Sequence, residues 1–153
     1  MSIKYKIEDF ILISSDKAIR PTNFMGATKR ISEIICLSNQ TGKIKTKFCV
    51  VRFGNVIGSS GSVIPLFQEQ ISYGGPITVT HKKIKRFFMT ISEAAELVIQ
   101  SGALNNGGDI FILDMGKQIN IFSIAKRMAI LNGYQPYLSI KKYLKKQKKI
   151  QIK

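Results

Sequence analysis

FILISSDKAIRPTNFMGATKRISEIICLSNQTGKIKTKFCVVRF, Phe10 to Phe53, is the stretch that decides the fold. It opens with FILIS (Phe10 to Ser14), a short apolar, β-branched run of the kind that a parallel sheet buries on both faces. A polar loop follows, and Pro21, Thr22 and Asn23 give a helix-start signal. Ile31, Ile34, Ile35 and Leu37 then recur at helical spacing until Asn39 and Gly42 break the pattern. FCVVRF (Phe48 to Phe53) reads as a second buried strand, so the unit is strand, helix, strand, with a right-handed crossover expected.

Downstream the alternation continues. GNVIGSSGS (Gly54 to Ser62) is rich in small residues and runs into Val63, Ile64, Phe67 and Ile71, a helical stripe with Ser62 at the N-cap position. Pro65 fits within the first turn, and Gly74, Gly75 and Pro76 end the helix. Ile77 to Thr80 reads as a short strand, and Ser92 to Ser101 as a helix burying Ala94, Ala95, Leu97 and Val98. Gly107 and Gly108 introduce a strand at Asp109 to Leu113. Ile121, Ile124, Ala125, Met128 and Leu131 mark an amphipathic helix capped by Asn120. Elements in this order give an α/β fold with a parallel sheet. The G-x-G-x-x-G fingerprint of a dinucleotide-binding turn does not occur. Gly54, Gly58 and Gly61 follow a strand, but no suitable acidic residue lies beyond them, and they read as a substrate loop.

A chain of 153 residues with 44% apolar content is long enough to bury a core. Its longest apolar runs, such as Phe10 to Ile13 and Ile110 to Leu113, fall far short of the roughly 20 residues of a membrane span. The N-terminus shows no signal-peptide core, so the expected compartment is the cytoplasm, with the inner face of the membrane compatible. Cys36 and Cys49 lack metal-type spacing and read as half-buried thiols; no metal is expected. The net charge is +15, yet seven of the 24 basic residues are lysines within Lys141 to Lys153, which leaves 17 basic against nine acidic elsewhere. That tail carries no buried-face periodicity and is expected to be disordered, and no specific nucleic-acid partner is implied.

Ser15, Asp16 and Lys17 directly follow FILIS, at the carboxyl end of a strand, where open parallel sheets place their ligands. Met25 and Lys29, four residues apart, share one face of the next helix. Spacing alone does not separate such a lysine from an ordinary exposed one.

The blocks SSDKAIRPTNFMGATKR, VVRFGNVIGSSGSVIPLFQEQI, GGPITVTH, RFFMTISEAAELVIQSG and IFILDMG, in this order, make the chain resemble one particular family. It is the membrane-type UDP-N-acetylglucosamine 4,6-dehydratases of the CapD-like polysaccharide-biosynthesis family, among the extended short-chain dehydrogenase/reductases. The resemblance spans Glu8 to Leu138. It implies a Rossmann-type sheet, NAD or NADP as cofactor, a UDP-linked amino sugar as substrate and a 4-keto-6-deoxy sugar as product. In the wider superfamily a tyrosine and a lysine share the redox step. The tyrosine position here is Met25, whose thioether cannot take a proton, while Lys29 matches the lysine that binds the nicotinamide ribose. The branch's hydroxyl-Asp-Lys trio maps onto Ser15, Asp16 and Lys17, with serine where threonine is usual. By resemblance Asp16, tuned by Lys17, handles the protons: Lys17 or an assisted water removes the C5 proton, and Asp16 protonates the departing C6 hydroxyl. Asn55 and Ser62 in the small-residue segment, and Arg86, correspond to nucleotide-sugar-binding positions, the arginine suiting a diphosphate. Without the family, the same turn reads equally well as structural. Lys82, Lys83 and Lys85 depart from the usual proline, acidic residue and threonine, and His81 receives no role.

The resemblance implies a catalytic and substrate-binding portion over 1–138 that lacks the glycine-rich, cofactor-binding half, and a lysine-rich tail over 139–153. A truncated or frameshifted reading frame accounts for both edges. On that expectation the first strand keeps an uncovered edge, and the chain is inactive unless a separately encoded N-terminal half or a homo-oligomer completes it. The alternative is a non-catalytic module that binds nucleotide sugars or polyanions through Arg86, the GSSGS turn and the basic tail.

Overall fold

The structure, a computed structural model, describes residues 1–59, 61–138 and 149–152. Along the chain run β1 (Asp9–Ser15), a 3-10 turn (Asp16–Ala18), α1 (Phe24–Ser38), β2 (Lys47–Phe53), β3 (Asn55–Val56), α2 (Val63–Ser72) and β4 (Lys85–Arg86). Next come β5 (Phe88–Met89), α3 (Ile91–Ala103), β6 (Asp109–Ile112), β7 (Ile119–Asn120), α4 (Ile121–Leu131), β8 (Gln135–Leu138) and β9 (Lys149–Ile152). They group into two compact units, Met1–Gly54 with Met89–Met115, and Asn55–Phe88 with Gly116–Lys153.

The first unit holds a parallel sheet in the order β1-β2-β6, with α1 as the crossover between β1 and β2. The predicted α/β class and strand-helix-strand unit are thus present. Strand side chains alternate between faces, and the contacts follow that period. Phe10 and Leu12 of β1 and Phe48 and Val50 of β2 pack with Cys36 of α1. Ile11 points the other way, toward α3, where a Cβ on Gly102 would come within 2.8 Å of its Cδ1.

On the α1 side, β1 and β2 are in register with Ser14 opposite Arg52. Between them sits the carboxylate of Glu33, fully buried. Its Oε1 accepts from Ser14 Oγ at 2.6 Å and Arg52 Nε at 2.8 Å; its Oε2 accepts from Arg52 at 2.6 Å and Arg30 at 3.0 Å. Burial alone would raise the Glu33 pKa, but the hydrogen bonds from Arg52, then Ser14 and Arg30, outweigh it and hold the carboxyl at about 2. The inward row of α1 is therefore Gly26, Glu33 and Cys36. Ile31, Ile34 and Ile35 lie off that row and are 56%, 53% and 60% exposed, so the isoleucine periodicity marks a helix without marking its buried face. Cys36 and Cys49 are buried rather than half-buried, and burial raises both thiols, Cys49 to about 11.

α3 starts one residue earlier than predicted because Thr90 caps it in a reciprocal box with Glu93, and it runs on to Ala103. Its buried row is Ala94 and Ser101, while Ala95 faces solvent.

In the second unit, α2 and α4 pack through Phe67, Ile71, Ile121, Ala125 and Ala129, with Ile77 and Phe88 completing the core. Asn120 caps α4 as predicted, accepting from the Ser123 N–H at 2.9 Å. Leu131, expected inside, is 84% exposed, since the inward row advances in steps of four from Ile121. β4 and β7 form an antiparallel ribbon, Arg86 opposite Ile119, extended by the Ile121 N–H to the Ile84 carbonyl. The predicted strand Ile77–Thr80 reduces to one bridge residue at Ile77. Gln70 takes the place of a neighbouring strand there, accepting from the Thr78 N–H at 2.9 Å and donating to its Oγ1 at 2.8 Å. Of the predicted tail, 139–148 and Lys153 lie outside the described residues. Lys149–Ile152 pairs in parallel with β8.

Folding lowers the Glu33 pKa from 4.5 to about 2, so the ionised network stabilises the fold fully above about pH 4.5 and is lost as pH falls toward 2. Glu33→Gln should cost about 3–5 kcal/mol by leaving Arg52 buried without its counter-charge. It should also flatten the acid dependence of stability, read by urea unfolding across that pH window. An unchanged acid profile in the variant would refute the assignment.

Candidate functional site

Ser15 ends β1 and caps the 3-10 turn, its Oγ accepting from the Lys17 N–H at 3.3 Å. The same hydroxyl donates to Asp16 Oδ1 at 2.9 Å, and Lys17 Nζ donates to that oxygen at 2.9 Å. Two neighbours thus converge on one carboxylate oxygen. The second oxygen lies toward Gly54, where a Cβ would sit 3.4 Å from Oδ2 and 2.9 Å from the Met115 sulfur. The Gly54 N–H donates to that sulfur at 2.7 Å. An ion pair as exposed as Asp16–Lys17, at 35% and 31%, adds at most about 1 kcal/mol to stability, so its geometry speaks for chemistry more than for folding.

The start of α1 is built onto this turn. Asn23 caps the helix by accepting from the Gly26 N–H at 2.8 Å. Gly26 itself abuts the Lys17 carbonyl, with which any Cβ would collide. Met25, next to that contact, is 46% exposed, and four residues on Lys29 Nζ donates to the Ile13 carbonyl at 3.1 Å. The predicted Ser15, Asp16, Lys17 and Lys29 are thereby gathered at the C-terminal end of β1, and Met25 stands on the first turn of the helix that carries Lys29. Lys29 keeps N–H donors beyond the one used on Ile13, which fits a ribose diol.

The second unit contributes a cleft of about 290 Å³ lined by all three predicted binding residues, Asn55, Ser62 and Arg86, together with Val79, Ile84 and Phe88. Ser62 occupies the N-cap position of α2, but its side chain makes no capping bond. Its Oγ is the one buried side-chain N or O atom among the described residues without a hydrogen-bond partner. Arg86 is exposed and donates to the Lys85 carbonyl at 2.9 Å. His81 accepts at Nδ1 from the Lys83 N–H at 3.2 Å, which ties the lysine-rich turn locally. Among the described residues no group of three or more His, Cys, Asp or Glu could hold a metal, and no helix is long and apolar enough to cross a membrane. A larger recess of about 440 Å³, near Phe10, Leu12 and Ile35, is mostly apolar and is lined by no Asp, Glu, His, Lys or Arg side chain.

Sequence reasoning missed Gly26, Met115 and the Glu33–Arg52 pair, and it gave Gly54 to a substrate loop without its approach to Asp16 and Met115. A signal for the pair existed: Arg52 is the one charge in FCVVRF, and Glu33 follows Lys29 by one helical turn.

A family profile described as polysaccharide biosynthesis protein matches residues 1–153. The capsular polysaccharide biosynthesis protein CapD of Staphylococcus aureus is 55% identical over 128 residues, 84% of this chain and 21% of the relative. The chain therefore spans about a fifth of that relative's length. Among solved structures, Pen from Bacillus thuringiensis is 41% identical with a TM-score of 0.81, covering 86% of this chain and 41% of that one. The NAD complex of a dTDP-glucose 4,6-dehydratase from Bacillus anthracis shares the fold at 14% identity, with a TM-score of 0.74 over 99% of this chain and 51% of that one.

Gly26→Ala should destabilise the chain by about 1–3 kcal/mol, because α1 must lift off the Lys17 carbonyl. Asn23→Ala should cost about 1 kcal/mol. Thermal unfolding of both variants checks this, and a Gly26→Ala protein as stable as the parent would refute the close approach.

Proposed function

This chain belongs to the polysaccharide biosynthesis protein family, and we propose that it supplies the proton-transfer and sugar-binding groups of a nucleotide-sugar 4,6-dehydratase. The substrate is a UDP-linked N-acetylhexosamine and the product its 4-keto-6-deoxy form. The observation that carries this reading is the convergence of Ser15 Oγ and Lys17 Nζ on one oxygen of Asp16, beside a helix whose usual tyrosine position holds Met25.

The chemistry supplied by bound NAD or NADP is hydride transfer, away from C4 and back to C6. Lys29 would hold the nicotinamide ribose through the donors that Ile13 leaves over. With a thioether at position 25, the Asp16 carboxylate takes the C4 hydroxyl proton and later delivers it to the C6 hydroxyl, which departs as water. The C5 proton passes to Lys17, which must act there as the free amine rather than as the ammonium paired with Asp16, or to a water it holds, and returns to C5 once C6 is reduced. Ser15 fixes the carboxylate's orientation, and the missing Cβ of Gly54 leaves room at its second oxygen. Arg86 meets the diphosphate with its guanidinium fork, and Ser62 Oγ with the α2 N-terminus adds donors to the same anion.

Because Asn55, Ser62 and Arg86 line one cleft of one unit, binding without turnover is the second reading. Calorimetric titration of UDP-N-acetylglucosamine into the chain, with and without NAD, is expected to show binding that Arg86→Ala weakens tenfold or more, about 1.4 kcal/mol. With a cofactor-binding half supplied as a separate polypeptide, keto-sugar formation should appear and Asp16→Asn should reduce it by about 10²-fold or more. Turnover unaffected by Asp16→Asn would sink the acid–base assignment. Binding indifferent to NAD, with no keto sugar under any condition, would leave the module.

A further inference from the structure

The charge of this protein is unevenly placed. Of the net +15, +13 falls within Asn55–Phe88 and Gly116–Lys153, where 14 Lys and Arg stand against Glu69 alone; the other unit carries 10 against eight. Part of that excess lies on one small element. Lys82, Lys83, Lys85 and Lys117 are all exposed on or beside the β4–β7 ribbon, with Arg86 among them and no acidic side chain between 70 and 92 or after Asp114. Asn120 Nδ2 donates to the Lys82 carbonyl at 2.8 Å and fixes the lysine turn to the ribbon. Mutual repulsion of this many cations disfavours the compact state unless an anionic partner offsets it.

The apolar residues beside these cations indicate what that partner is. Ile119, opposite Arg86 in the ribbon, is 43% exposed. α4 starts where the ribbon ends and repeats the mixture: Lys126 and Ile130, and Arg127 and Leu131, are i,i+4 neighbours, with Ile130 58% and Leu131 84% exposed. Exposed aliphatic side chains gain nothing against nucleic-acid phosphates, whose readers combine cations with aromatic stacking platforms. Against a lipid headgroup layer they do gain, because they enter the acyl boundary while the lysines stay with the phosphates.

We propose that the β4–β7 ribbon, with the exposed side of α4, is a docking surface for an anionic lipid bilayer. It borders the sugar-binding site rather than repeating it: Arg86 of the ribbon lines the cleft, whereas the four lysines do not. The test is co-sedimentation of the full chain with vesicles of phosphatidylcholine alone or mixed with phosphatidylglycerol, at low and high salt, using the parent and Lys82→Gln/Lys83→Gln/Lys85→Gln/Lys117→Gln together. The expected result is binding only to the phosphatidylglycerol vesicles, weakened by salt and by about fivefold for each lysine removed. The four sites are exposed, so the variant should retain the parent's circular dichroism and its UDP-N-acetylglucosamine affinity. Absence of vesicle binding overturns the proposal, as does binding that the quadruple variant retains in full, which would assign the attraction to other lysines. Polyuridylate that binds the chain and displaces it from vesicles at equimolar phosphate would point to nucleic acid instead and also overturn it.

Discussion

The first unit is organised around one buried carboxylate. Glu33 lies on α1, Ser14 on β1 and Arg52 on β2, so the carboxylate joins the three pieces of the strand-helix-strand unit at one point. A carboxylate at this depth would be costly without compensation; four hydrogen bonds, three of them from guanidinium groups, supply it. The reactive-looking trio begins at the residue after Ser14, and Lys29 stands one helical turn before Glu33. Any slip of α1 along the sheet would therefore unpair Glu33 and misplace Lys29 together. Hydrophobic contact at Cys36, Phe48 and Val50 is less particular about register, since aliphatic surfaces tolerate sliding that a bidentate ion pair does not.

What the sequence revealed follows from the range of each interaction. FILIS, FCVVRF and the Pro21–Asn23 start signal are local patterns, and each matches an element within a residue or two. Asn23 and Asn120 act over three residues and were equally readable. The pairing of Ser14, Glu33 and Arg52 spans 19 residues at each step and depends on strand register, which periodicity does not encode. For the same reason the isoleucines of α1 misled: their spacing is helical, but the inward side was chosen by a charged pair rather than by hydrophobicity. The strand expected at Ile77–Thr80 failed because Gln70 meets the backbone that a strand neighbour would have met. Site residues were legible only where resemblance carried them. Bottom-up reading placed Ser15–Lys17 at a strand end and stopped there.

On the proposed function, Met25 accounts for the form of the trio. Where a tyrosine serves as base, the lysine one turn on tunes it. With a thioether in that position, the proposed function gives the proton traffic to the strand end, where a second lysine and a hydroxyl are held on a single carboxylate oxygen. Two glycines make this compactness feasible for packing reasons rather than backbone freedom, as neither has a positive φ. Gly26 lets α1 lie on the Lys17 carbonyl, and Gly54 leaves space beside Asp16.

The second unit handles polarity differently. The first satisfies its buried charge internally; the second leaves Ser62 Oγ buried and unpartnered at the mouth of α2, in a cleft that also contains Arg86. A hydroxyl in that position ordinarily accepts from the third residue of its helix, but here that residue is Pro65, which has no N–H, and a buried hydroxyl left unpaired costs about 1–3 kcal/mol. Such a deficit is tolerated where a ligand removes it, and an acceptor with several oxygens would satisfy the hydroxyl, the free N–H groups of the first α2 turn and the guanidinium at once. A diphosphate has that shape and charge. On the proposed function, fold and binding use the same arginine–oxyanion chemistry, closed within the protein at Glu33 and left open toward solvent at Arg86.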